Sequence, residues 1–240
     1  MIEKALKYII GLKDPVVQEI GGETYSDKQL FRIHYEPKAE PIKLSTLTSL
    51  VDYLVSDVDF HKSSNTLFVH VQSPTEVSVF SALDEERERE CLVKVSAQVP
   101  SFNFDTFYEH EVFCIALQSK FMQNDDRDLI LKFAGTVEAG SVSEYGDDGV
   151  SQKATIKTGI ASKGEAFVPN PVSLVPFRTF IEVSQPLSSF VFRMKQDKYD
   201  GIKCGLFEAD GGAWKHDAML YIKAYLKEKL AEYPNIVVIS

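Results

Sequence analysis

The residues best suited to chemistry crowd into one stretch, LFEADGGAWKHDAMLYIKAYLKEKL, Leu206 to Leu230. Glu208, Asp210, Lys215, His216 and Asp217 fall within ten residues around the pair Gly211-Gly212. Carboxylates so close together can begin a divalent-metal site, and a nearby lysine can stabilise charge on a phosphate. Glu208 and Asp210 with Lys215, joined by Asp147 or Asp148, therefore define one reading, a metal-dependent hydrolase or nuclease. Nuclease sites of this kind place an acid and a lysine one residue apart on a strand, and that spacing is absent here.

The same residues also have a structural reading. At about 100° per residue, Trp214, Ala218, Met219, Tyr221, Ile222, Tyr225, Leu226 and Leu230 share one arc of a helix, while His216, Asp217, Lys223 and Lys227 lie outside it. Asp210 or Gly212 can cap that helix, where an acid meets the orphan amides and the macrodipole. Lys215 can pair with Glu208. Capping alone accounts for Asp210, and Trp214 is expected to be buried against a sheet.

No other motif carries catalytic or cofactor chemistry. His34, His61, His70, His110 and His216 have neither the spacing of a helical zinc site nor a nearby cysteine partner. NDDRDL lacks the glycine and terminal glutamate of a calcium loop, and EIGGETY is too poor in glycine for a phosphate cradle. The aromatic run Phe102, Phe104, Phe107, Tyr108 has no interleaved basic residues and reads as core rather than a base-stacking platform. No cofactor is implied.

The 240 residues carry 26 Lys plus Arg against 35 Asp plus Glu, a net charge of -9, which disfavours nonspecific nucleic-acid binding. Three widely spaced cysteines in apolar contexts, Cys91, Cys114 and Cys204, fit buried, reduced thiols in a cytosol. MIEKALKYIIGLKDP is too short and too interrupted by lysine to span a membrane and has no small-residue cleavage site, so it reads as an amphipathic helix.

The elements that must position these residues alternate in texture. A strand is expected at Leu30 to Tyr35, and a helix after a capping Ser45, with Leu47, Leu50, Val51, Leu54 and Val58 on its apolar face. TLFVHVQS, TEVSVFSAL and ECLVKVSAQV form an antiparallel meander, with the charged Glu85 to Glu90 as a solvated link. Val112 to Met122 is apolar around nearly its whole circumference, which predicts a deeply buried helix. Asn124 or Asp125 opens a second helix, DLILKFAG, ending at Gly135. Strands follow at VEAGSVSEY and SQKATIKTGI about an Asp148-Gly149 turn, then at RTFIEV, SFVFRMK and IKCGLFEA. A last helix and a short closing strand, NIVVIS, complete an α+β fold with antiparallel sheets in both halves. The chain reads as one unit, residues 1–240, with a change of texture that divides 1–100 from 101–240.

GEAFVPNPVSLVPFRTFIEV, residues 164 to 183, sets Pro169, Pro171 and Pro176 among Phe167, Val168, Val172, Leu174, Val175 and Phe177. Prolines argue against a central strand, and apolar residues on both faces need cover on both. Either the segment crosses its own domain under a helix or it is an arm against a neighbouring subunit. The stiffness of the segment favours the arm, with those six apolar residues as the interface of a homo-oligomer.

Several phrases occur in order: ALQSKF at 116 to 121, DDGVSQ at 147 to 152, KTGI at 157 to 160, PNPVSLVPFRTF at 169 to 180, QPLSSFVFRM at 185 to 194 and LFEADGGAWK at 206 to 215. Over roughly residues 100 to 240 the chain thereby resembles the YfdQ-like family of bacteriophage and prophage proteins. The resemblance implies an accessory protein acting in the bacterial cytoplasm and supplies no catalytic motif. The expected function is non-enzymatic self-assembly by binding or scaffolding, with a host or phage protein as a further partner. Beside it stand the metal-dependent hydrolase and a protein that captures a nucleotide or a host-defence component.

Overall fold

The computed structural model describes residues 2–11, 15–28, 38–56, 58–59, 66–84, 87–139, 141–147, 152–158, 162–197 and 201–240. It comprises two compact units, Met1–Lys38 and Ala39–Ser240. The first holds helix α1 (Ile2–Gly11) and the antiparallel hairpin of β1 (Val17–Ile20) and β2 (Glu23–Ser26). Gly21 and Gly22, at φ 66° and 87°, form its two-residue turn, because only glycine takes positive φ twice in succession without steric cost. The strand expected at Leu30 to Tyr35 lies outside the described residues.

In the larger unit, β3 (Ile42–Leu44) leads into α2 (Leu47–Ser56), followed by the meander β4 (Leu67–Ser73), β5 (Glu76–Ser81) and β6 (Cys91–Ser96). Next come β7 (Thr106–Glu109), α3 (His110–Lys120), α4 (Asp125–Ala139) and the antiparallel strands β8 (Ser141–Asp147), β9 (Gln152–Thr158) and β10 (Ser162–Val168). The chain finishes with β11 (Val172–Leu174), β12 (Ser188–Asp197), β13 (Gly201–Glu208), α5 (Ala213–Lys229) and β14 (Ile236–Ile239). The fold is α+β.

Two sheets carry the two cores. The five-stranded sheet runs β14-β4-β5-β6-β3, with parallel pairs at both edges and α2 and α5 on one face. Its core joins Leu47, Leu50 and Leu54 to Val69, Val79 and Val93, and to Ile222, Leu226 and Val238 from the end of the chain. The sequence boundary near residue 100 is therefore not a structural one: the last helix and strand complete the sheet of the first half. The four-stranded antiparallel sheet, β11-β12-β13-β7, packs against α3 and α4 through Phe113, Leu117, Ile130, Phe133, Phe190, Phe192 and Leu206. At Gly205 an added Cβ would lie 2.8 Å from the Thr106 carbonyl oxygen, so β7 and β13 meet where there is no side chain.

Local chemistry moves several expected boundaries. Thr46, not Ser45, caps α2, its Oγ1 accepting the Ser49 amide at 3.1 Å. Asn124 caps α4 by accepting the Arg127 amide at 2.9 Å, and the helix runs through Gly135 to Ala139, taking residues expected to begin a strand. α3 is amphipathic rather than buried all round: Phe113, Ala116 and Leu117 are inside while Val112 and Ile115 are exposed. Arg89 is not merely solvated, since its guanidinium lies 4.5 Å from the Phe68 ring centroid. The Asp148-Gly149 turn lies outside the described residues.

The proline segment is the largest correction. Val168, Val172 and Leu174 are fully buried in the chain's own core beside α3 and α4, which is the crossing arrangement and not an intersubunit arm. Val175 and Phe177 are half-buried and Phe167 is exposed. RTFIEV is a loop instead of a strand, because Gln185 occupies its polar groups: Oε1 accepts the Arg178 and Thr179 amides at 2.9 and 3.1 Å, and Nε2 donates to the Phe180 carbonyl at 3.0 Å. Leu174→Ala should cost about 2 to 5 kcal/mol in urea unfolding, with no change in subunit number by light scattering. A stable variant with fewer subunits would restore the arm.

Candidate functional site

The polar loop after β13 is organised by a residue from elsewhere in the chain. Arg178, with its side chain 8% exposed, donates from Nη1 to Glu208 Oε1 at 2.6 Å and from Nη2 to Ser188 Oγ, while Asp210 Oδ2 lies 3.9 Å from Nη2. Its guanidinium stands 3.7 Å from the Trp214 ring centroid and 5.6 Å from those of Phe104 and Phe190. Burial pushes the Arg178 guanidinium down from its ordinary pKa, and Glu208 and then Asp210 oppose that shift. A desolvated cation is costly on its own and tolerable when carboxylates and aromatic faces surround it.

Each partner is delivered by local backbone geometry. Glu208 ends β13 directly opposite Phe190 of β12, and its amide donates to Asp105 Oδ1 at 3.2 Å. Asp210 accepts the Gly212 amide on Oδ1 at 2.9 Å, which closes a tight turn. Of the two expected caps, Gly212, at φ 81°, is the N-cap of α5 and makes no side-chain cap bond, while Asp210 closes the preceding turn instead of capping the helix. α5 then raises Trp214 on its first turn over Arg178 and buries Ala218, Ile222 and Leu226. Trp214 is half-buried, and Tyr221, placed on the apolar arc, is exposed at 41%.

Among the three residues of the hydrolase reading, Glu208 and Asp210 come together, but around Arg178. Lys215 Nζ lies 5.8 Å from the Trp214 centroid, and His216 is exposed. Asp147 ends β8 on a separate three-stranded sheet, and Asp148 is outside the described residues. No group of three or more His, Cys, Asp or Glu that could hold a metal ion occurs among the described residues. The arrangement binds a guanidinium of its own chain. Arg178 itself gave no signal in the sequence, since its partners lie 10, 30, 32 and 36 residues further on, at Ser188, Glu208, Asp210 and Trp214.

Other surfaces are more open. Across α1, Ile2, Leu6 and Ile9 are 79%, 52% and 56% exposed, and the hairpin exposes Val17, Ile20 and Tyr25. On the uncovered face of the five-stranded sheet, Phe68, His70, Phe80, Arg89 and Ile239 line a shallow hollow of about 340 Å³. Among the described residues no helix is long and apolar enough to cross a membrane.

Arg178→Ala should cost about 3 to 5 kcal/mol, because it leaves Glu208 and Asp210 without their cation and opens space beside Trp214. Lys215→Ala should stay within about 0.5 kcal/mol. Urea unfolding of both variants checks the ranking. Equal effects would remove Arg178 from the centre of the cluster.

No protein-family model, curated protein or solved structure matches this chain.

Proposed function

We propose that this chain is a non-enzymatic, self-assembling protein whose N-terminal unit joins one copy to another. The setting that the YfdQ-like phrases suggest is accessory work in the cytoplasm of a phage- or prophage-bearing bacterium. The observation that carries the proposal is the exposure of apolar residues on α1 and on the β1–β2 hairpin. Ile2, Leu6 and Ile9 form one apolar stripe on α1, all exposed, and the hairpin separately exposes Ile20 and Tyr25 on one face and Val17 on the other.

A ten-residue helix is too short to persist alone in water, and a two-stranded hairpin is marginal. Both gain stability only by covering their apolar sides. Burying each aliphatic side chain of the stripe recovers about 1.5 to 3 kcal/mol, enough to offset helix nucleation. The flanking charges are mixed, with Lys7 paired to Glu3 at 3.4 Å and Lys4 beside them. Two copies can bring such rims together without like-charge repulsion, whereas a helix for anionic lipid carries a basic face.

The assembling surface is thus α1 and not the 167–177 segment, whose apolar residues are largely spent in the core. Glu208 and Asp210 are engaged by Arg178, which favours binding over hydrolysis as the reading of this chain.

Size exclusion with light scattering tests the proposal on the native chain and on a Leu6→Asp, Ile9→Asp variant. The native protein should exceed the mass of one chain, and the variant should fall to one chain with an unchanged melting temperature. A monomeric native protein overturns self-assembly, and an oligomeric variant removes α1 from the interface.

A further inference from the structure

A second feature, independent of assembly, lies where β3 and β6 run parallel. Their carboxyl ends open onto a broad surface groove of about 670 Å³ lined by Lys43, Ser45 and Ser49 on one side and Lys94, Ser96 and Gln98 on the other. Ligands collect outside the carboxyl ends of parallel strands because the following segments diverge there and leave a crevice. Here β3 turns into α2 while β6 continues toward β7.

Lys43 and Lys94 are register partners on the adjacent strands, so their side chains leave the same face of the sheet side by side. Like charges in that position repel. No carboxylate lies within 4.0 Å of either ammonium among the described residues, in a chain whose net charge is -9. A bound oxyanion would convert this repulsion into two charge-assisted contacts, and the Ser45 and Ser96 hydroxyls add donors at the same mouth.

The amides of α2 do not contribute to the argument, because Thr46 Oγ1 takes the Ser49 amide and Glu182 Oε1 takes the Thr48 amide at 3.1 Å each. The site stands on the lysine pair, the hydroxyls and the volume. Two adjacent ammonium groups match a dianion better than a single carboxylate. The groove is wider than a lone phosphate, leaving room along it for the rest of a small molecule. Glu76 sits opposite Ser96 in the β5–β6 register and brings an acid to that side, which disfavours long polyphosphates and nucleic-acid backbones.

We infer that the groove between the ends of β3 and β6 binds the phosphate of a small phosphomonoester through Lys43 and Lys94, with Ser45 and Ser96 as further donors. Calorimetric titration of the full chain at low salt, with inorganic phosphate, AMP and adenosine in turn, provides the test. AMP should bind several-fold more tightly than inorganic phosphate, and adenosine should not bind. A Lys43→Gln, Lys94→Gln variant should lose affinity for both phosphate compounds by about tenfold or more at an unchanged melting temperature. Failure of both phosphate compounds to bind, or equal affinity in the variant, overturns the site. Inorganic phosphate binding as tightly as AMP overturns the ester, and adenosine binding as tightly as AMP overturns the phosphate.

Discussion

The buried guanidinium of Arg178 is the constraint around which the larger unit is arranged. A cation with an 8% exposed side chain must be met by charge and by polarizable faces, and four elements supply them: Glu208 from β13, Asp210 from the following turn, Ser188 from the start of β12 and Trp214 from α5. Those requirements fix where β13 ends and where α5 begins. The glycines at 211 and 212, both at positive φ, let the chain turn between them.

Arg178 also sits at the middle of a strap between the two cores. Pro176 bridges to Phe121, and the Phe177 amide donates to the Lys120 carbonyl at 2.9 Å, both on the side of α3 and α4. Two residues beyond Arg178, Phe180 is buried in the other core, the Thr179 hydroxyl donates to the Pro74 carbonyl at 2.5 Å, and Glu182 holds the first turn of α2. Eight residues, from Pro176 to Val183, thus reach from the end of α3 to the core of the five-stranded sheet. Pro176, which has no amide to donate, and the Gln185 bonds, which occupy the backbone of Arg178 to Phe180, keep this strap from pairing as a strand.

Periodicity and turn chemistry disclosed the meander, α2, the last three strands and the α+β class, because each depends on neighbours in sequence. Features that depend on distant neighbours stayed hidden. The end strand Ile236–Ile239 was legible as a strand but not as the parallel partner of β4, and the texture change near residue 100 concealed a core shared by both halves. The acids of the 208–217 loop stood out in the sequence, yet their meaning depended on Arg178, 30 residues before Glu208, whose burial no local pattern announces. Likewise, Lys43 and Lys94 become a pair only when β3 and β6 align.

The claim that Arg178 and its partners join the two cores into one cooperative body is most directly tested through the chain's single tryptophan, which lies against that guanidinium. Equilibrium urea unfolding should be followed by Trp214 fluorescence and by far-ultraviolet circular dichroism on the same samples. Coincident transitions with one midpoint are the predicted result. A fluorescence transition completed at lower urea, while the sheets remain folded, would show that the cluster is a surface attachment and would contradict the account.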